Sequence, residues 1–166
     1  MAINSNPEIE EIIASATELA RDYRHEYVTL EHLLIALVEF RSFKKLLTDY
    51  GIDTTPLLAD LYEYTAQQDH LVDLSDKEIV PQRTHSLERV FNRAFTQVLF
   101  TAREQMEPVD LFLSISQETN SHAAYFMLKW GINRKQLVEF YTQDYSGRES
   151  RPAKPAAQGK GKKDYA

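Results

Sequence analysis

His25, Glu26, Glu31 and His32, within RHEYVTLEH, are the densest group of side chains able to bind a metal or move a proton. Two imidazoles and two carboxylates would suit a metal-assisted hydrolase. A helical metalloprotease site, however, sets two histidines four apart with a glutamate between them, so that both face one ion from one helix. Here the histidines are seven apart, and Thr29, a helix-start residue, falls between them. A solvated helix start, in which Glu31 complements the dipole, accounts for the same residues. A metal-dependent hydrolase on His25 and His32 stands only as a contrasting alternative.

Other chemistry lacks its constellation. Phosphate transfer needs a glycine-rich loop ending in Lys-Ser or Lys-Thr, so that backbone N–H groups cradle the phosphates and a hydroxyl holds magnesium. The only Gly-Lys pairs, Gly159-Lys160 and Gly161-Lys162, lack the hydroxyl residue and lie in a Gly/Pro/Lys-rich tail. No serine occupies a Gly-x-Ser-x-Gly elbow, and His70, His85 and His122 fall in a loop or at helix starts. Paired carboxylates such as Glu10-Glu11 stand where a first-turn acidic bias is expected. The expectation is a non-enzyme with no catalytic residue, no metal and no cofactor.

The elements around these residues read as helices. Ser5 and Asn6 are caps before Pro7, and Ile9, Ile12, Ile13, Ala16, Ala20 and Tyr23 recur at helical spacing, predicting a helix from Pro7 to about Arg24. Thr29 caps a second from Leu30 to about Glu39. Ser42 caps a third that Gly51 closes, and a fourth runs from Thr54 or Thr55 to about Gln67. Residues 68–83 carry no sustained period and read as a connector. Then the pattern restarts: Leu87, Val90, Phe91, Ala94 and Val98 fall 78 residues after Ile9, Ile12, Ile13, Ala16 and Ala20, and Leu33, Leu34, Ile35 and Leu37 map onto Leu111, Phe112, Leu113 and Ile115. Gly51 has its equivalent in Gly131, 80 residues on. The chain duplicates a four-helix unit.

Strand signals are scarce, and Ile79-Val80 is too short and is stopped by Pro81, so the fold class is all-α. The domain spans 1–145, with repeats at about 7–67 and 84–145. The segment 146–166 reads as a disordered basic tail of net charge +4, which leaves −10 on the rest of a chain whose total is −6. So acidic a body disfavours nucleic-acid binding. The hydrophobic fraction of 43% is enough for one globular core. The absence of cysteine fits a reducing compartment, and MAINSNPEIEE shows no leader pattern. A cytoplasmic protein without a membrane span is expected.

ARDYRHEYVTLEHLLIALVE, from Ala20 to Glu39, is similar to the HRHEF-x-T-x-EHLLLALL signature of the N-terminal domains of Clp unfoldases, with ClpA-like members nearest. THSLERVFNRAF (Thr84 to Phe95) and SHAAYFMLKWGINRKQLVEF (Ser121 to Phe140) extend the resemblance over about Ile9 to Tyr145. The resemblance implies a pseudo-twofold bundle of two four-helix repeats that docks substrates or adaptors for an unfoldase ring, a ClpS-like adaptor in ClpA-like proteins. The matching contact positions are His25, Glu31, Thr84 and Arg89, all expected to be exposed. Family proteins continue into ATPase modules that this sequence does not include. A cut unfoldase and a free-standing domain both fit, the second as a phage-borne decoy competing with a host N-domain. A monomer is expected.

Overall fold

In a computed structural model of the chain, the structure describes residues 6–67 and 80–142. Most of the connector 68–83 and all of the tail 146–166 lie outside the described residues. Two compact units are distinguished, residues 1–131 and 132–166. The first holds α1 (Pro7–Asp22), β1 (Tyr27–Val28), α2 (Leu30–Glu39), α3 (Arg41–Tyr50), α4 (Thr54–Ala66), β2 (Gln82–Arg83), α5 (His85–Phe100), α6 (Pro108–Ser116) and α7 (His122–Lys129). The second contains α8 (Arg134–Phe140), begun by Asn133, whose Oδ1 accepts from the Gln136 N–H at 2.9 Å. The fold is all-helical, with α1–α4 and α5–α8 as the two repeats.

The central helix of each repeat is apolar nearly all round. Every residue of α2 from Leu30 to Val38 is buried, as are Val109, Leu111, Phe112, Ser114 and Ile115 of α6. Such a helix must be covered on several sides. α1 covers α2 with Ile9, Ile12, Ala16 and Ala20; α5 covers α6 with the equivalent Leu87, Val90, Ala94 and Val98. Each aliphatic side chain so buried contributes about 1.5–3 kcal/mol. The repeats meet through α2 and α6, where the Phe43 and Phe112 rings pack edge to face with centroids 4.8 Å apart.

The duplication extends to atoms. Asn6 and Thr84, 78 residues apart, are the N-caps of α1 and α5: Asn6 Oδ1 accepts from the Glu8 N–H at 2.9 Å and Thr84 Oγ1 from the Leu87 N–H at 3.1 Å. Both helices end in the same way. Arg24 and Ala102 lie in the left-handed region at φ 60° and 58°. The next residue's N–H then reaches back, His25 to the Ala20 carbonyl at 2.8 Å and Arg103 to the Val98 carbonyl at 3.1 Å. This is a Schellman closure without its usual glycine. Because a side chain in that region is strained, Ala102→Gly is expected to stabilise the protein by about 0.5–1 kcal/mol, read as a higher urea midpoint.

Three expectations need correction. α1 stops at Asp22 rather than Arg24, because Arg24 has already turned left-handed. Ser42 does not cap α3: α2 and α3 share the single extended residue Phe40 between them, so α3 starts at Arg41 and Ser42 is already inside its first turn. And the described residues include two strands of two residues each, β1 and β2, paired in parallel with Tyr27 opposite Gln82 and Val28 opposite Arg83. Pieces so short carry no alternation to read. Gly51 and Gly131 do take the left-handed conformation, at φ 110° and 86°.

Candidate functional site

The β1–β2 ribbon brings two helix starts side by side. The Gln82 N–H donates to the Glu26 carbonyl at 3.0 Å and the Thr84 N–H to the Val28 carbonyl at 3.3 Å. β1 leads directly into Thr29, the N-cap of α2, and β2 into Thr84, the N-cap of α5. Residues more than fifty apart in sequence thus share one edge, on which Glu26, Tyr27, Gln82 and Arg83 are exposed. The Arg83 guanidinium lies 5.7 Å from the centre of the half-buried Phe91 ring, within the range of a cation–π contact.

His25 and Glu31 were expected at the surface, and both are buried, 4% and 7% exposed. Glu31 turns inward because another helix needs its charge. Its Oε2 accepts from the Ala123 N–H, in the first turn of α7, at 2.8 Å, where a carboxylate meets both an unpaired donor and the positive end of the helix dipole.

His25 sits under the Tyr23 ring, stacked at 5.4 Å, and its Nδ1 lies 2.9 Å from Nε2 of His32. The Thr29 N–H donates to His32 Nδ1 at 2.9 Å, so that His32 serves as the third residue of a capping box. An Nδ1 that accepts leaves the proton on Nε2, which then donates to His25. Burial, and secondarily the neighbouring His25, hold the His32 imidazole down to about 4, and burial lowers His25 as well. Among the described residues no group of three or more His, Asp or Glu side chains is placed to hold a metal ion.

The remaining pair is accessible. Thr84 is half-buried as a cap. Arg89 is exposed yet fixed: Nη2 donates to Glu118 Oε1 at 2.7 Å and to Ser86 Oγ at 3.1 Å, and Nε to Glu118 Oε2 at 3.3 Å. Glu118 also receives Arg93, and the two arginines hold its carboxyl below the usual range. Glu31 and Arg89, expected to offer opposite charges to one partner, instead both bind the α6–α7 junction. Sequence reasoning missed Glu118 and the ribbon. Only the 78-residue correspondence of the caps, Asn6 with Thr84, hinted that the two helix starts are built alike.

Fold and site define an all-helical, twice-repeated module whose candidate surface lies over two adjoining helix N-termini. The chain belongs to the Clp repeat (R) N-terminal domain family, whose model matches residues 4–130. A relative described as a ClpA homolog protein, from Fuscovulum blasticum, is 30% identical over 154 residues; the match covers 89% of this chain and 19% of that relative's length. The N-terminal domain of Hsp104 from Candida albicans is similar in fold, with a TM-score of 0.70 at 13% identity, over 91% of this chain and 94% of that one. So is the ClpV N-domain in its complex with a VipB peptide, at 0.66 and 17%, over 88% and 94%. No helix among the described residues is long and apolar enough to cross a membrane.

Proposed function

We propose that the chain is a protein-docking module of a Clp unfoldase system and that it receives a ClpS-like adaptor on the surface around Thr84 and Arg89. The observation that carries this is the state of Arg89. Its guanidinium is held in one orientation by Glu118 while remaining open to solvent, so a partner carboxylate would meet a preorganised donor. His25 and Glu31 act on the same surface from beneath: His25 holds the start of α2 through His32, and Glu31 holds the start of α7. Family membership and the ClpV–VipB peptide complex among the similar folds support protein docking in general. The adaptor's identity rests on the ClpA-like character of the motifs and of the relative.

Arg89→Ala tests the reading, since Arg93 keeps its own hold on Glu118. Affinity for a ClpS adaptor, measured by calorimetry, is expected to fall about tenfold, and more steeply at low salt, with the thermal melt nearly unchanged. Unaltered affinity would remove Arg89 from the site. A failure of the parent chain to bind ClpS would remove the adaptor.

A further inference from the structure

The end of α5 presents a surface that its counterpart in the first repeat does not. Phe95, Leu99 and Phe100 are 43%, 47% and 83% exposed, although the core face of this helix is already complete with Leu87, Val90, Ala94 and Val98. The positions 78 residues earlier in the chain, at the end of α1, are Thr17, Arg21 and Asp22. The two helices have the same register and the same Schellman closure, so the fold does not ask for apolar side chains there. Three large ones together on a free helix face mark a contact surface.

The charges around the patch say what fits it. The nearest cations are engaged: Arg89 and Arg93 by Glu118, Arg103 by Asp110. Glu88, in the first turn of α5, and Glu104, just beyond its end, are exposed and have no ion-pair partner among the described residues. The patch is therefore apolar in the middle and negative at both ends. A second copy laid antiparallel on it would bring Glu88 towards Glu104 of its mate, and an anionic lipid surface would be repelled in the same way.

We infer that this end of α5 docks a protein segment with apolar side chains at helical spacing and a lysine or arginine at each end. This rests on the reading of the chain as a protein-docking module, but it concerns a different surface from that of Arg89. The test uses the whole chain, ¹⁵N-labelled, and a synthetic amphipathic peptide of about five helical turns with leucines on one face and lysines at both ends. Amide shifts are expected to be confined to residues 88–104. Phe95→Ser/Leu99→Ser should weaken the peptide at least about tenfold, and replacing its lysines by glutamates should do the same.

Equal binding of the glutamate-ended peptide, shifts centred elsewhere, or an unchanged affinity of the double variant would overturn the inference. So would dimerisation of the parent that the double variant abolishes, because the occupant would then be a second copy. ClpS affinity measured on the same double variant is expected to equal the parent's. That measurement keeps the two readings apart: if the peptide binds and ClpS does not, only the adaptor reading fails.

Discussion

Glu31→Lys is expected to destabilise the protein by about 3 kcal/mol or more, lowering the melt by roughly 10 °C. The carboxylate is 7% exposed, and its Oε2 is the acceptor for the Ala123 N–H in the first turn of α7. Removing it leaves a buried donor without a partner, and the lysine places a cation against the positive end of a helix dipole. Glu31→Gln keeps an acceptor and loses only the charge, so a loss of about 1 kcal/mol is expected. Urea unfolding of the two variants checks both numbers. A Glu31→Lys protein as stable as the parent would mean that Glu31 does not hold α7, and would return it to the surface role that its polarity first implied. If the structural role is right, any loss of adaptor binding in this variant tracks the fraction unfolded, whereas Arg89→Ala weakens binding in a fully folded protein.

Glu31 also marks the limit of what local sequence conveys. A glutamate two residues after an N-cap is where an acid complementing its own helix is expected, and nothing local says that its partner is a backbone N–H 92 positions away. His25 was hidden for the same reason, since its burial follows from a Schellman turn at Arg24 whose residue gives no glycine signal. What recurs with a period was legible. The bounds of α2 and its cap Thr29 come directly from LEHLLIALVE behind a threonine. The stripes of α1 and α5 were readable twice over, because the repeat supplies each as a check on the other. The ribbon was not readable, because two residues per strand fall below any pattern. Arg89 was read correctly as exposed, but its fixation by Glu118 depends on the packing of α5 against α6.

The same correspondence sets up the second large effect. At each junction between the first and second helix of a repeat, the residue after the left-handed turn bonds the third residue of the next helix: His25 to His32 in the first repeat, Arg103 to Asp110 in the second. In both, that third residue also accepts the N–H of its N-cap, Thr29 to His32 at 2.9 Å and Glu107 to Asp110 at 2.7 Å. The second junction is an ion pair. The first works only while both imidazoles are neutral, because a proton on His32 Nδ1 would point at the Thr29 N–H and a charge on His25 would face another on His32. An unfolded histidine takes up its proton near 6.5, whereas burial holds folded His32 to about 4. Folding thus resists protonation, so this contribution is complete above pH 6.5 and is lost as pH falls from 6.5 towards 4. At pH 5 the loss from His32 alone is about 2 kcal/mol, and the lowered His25 adds to it in the same direction. Urea midpoints at pH 7.5 and 5.0 are expected to differ accordingly for the parent. His32→Gln retains an acceptor for the Thr29 N–H without a titrating ring, and should remove most of that difference. A parent midpoint that does not move between the two pH values, or a His32→Gln midpoint that moves as far as the parent's, would show that the His25–His32 pair does not govern acid stability.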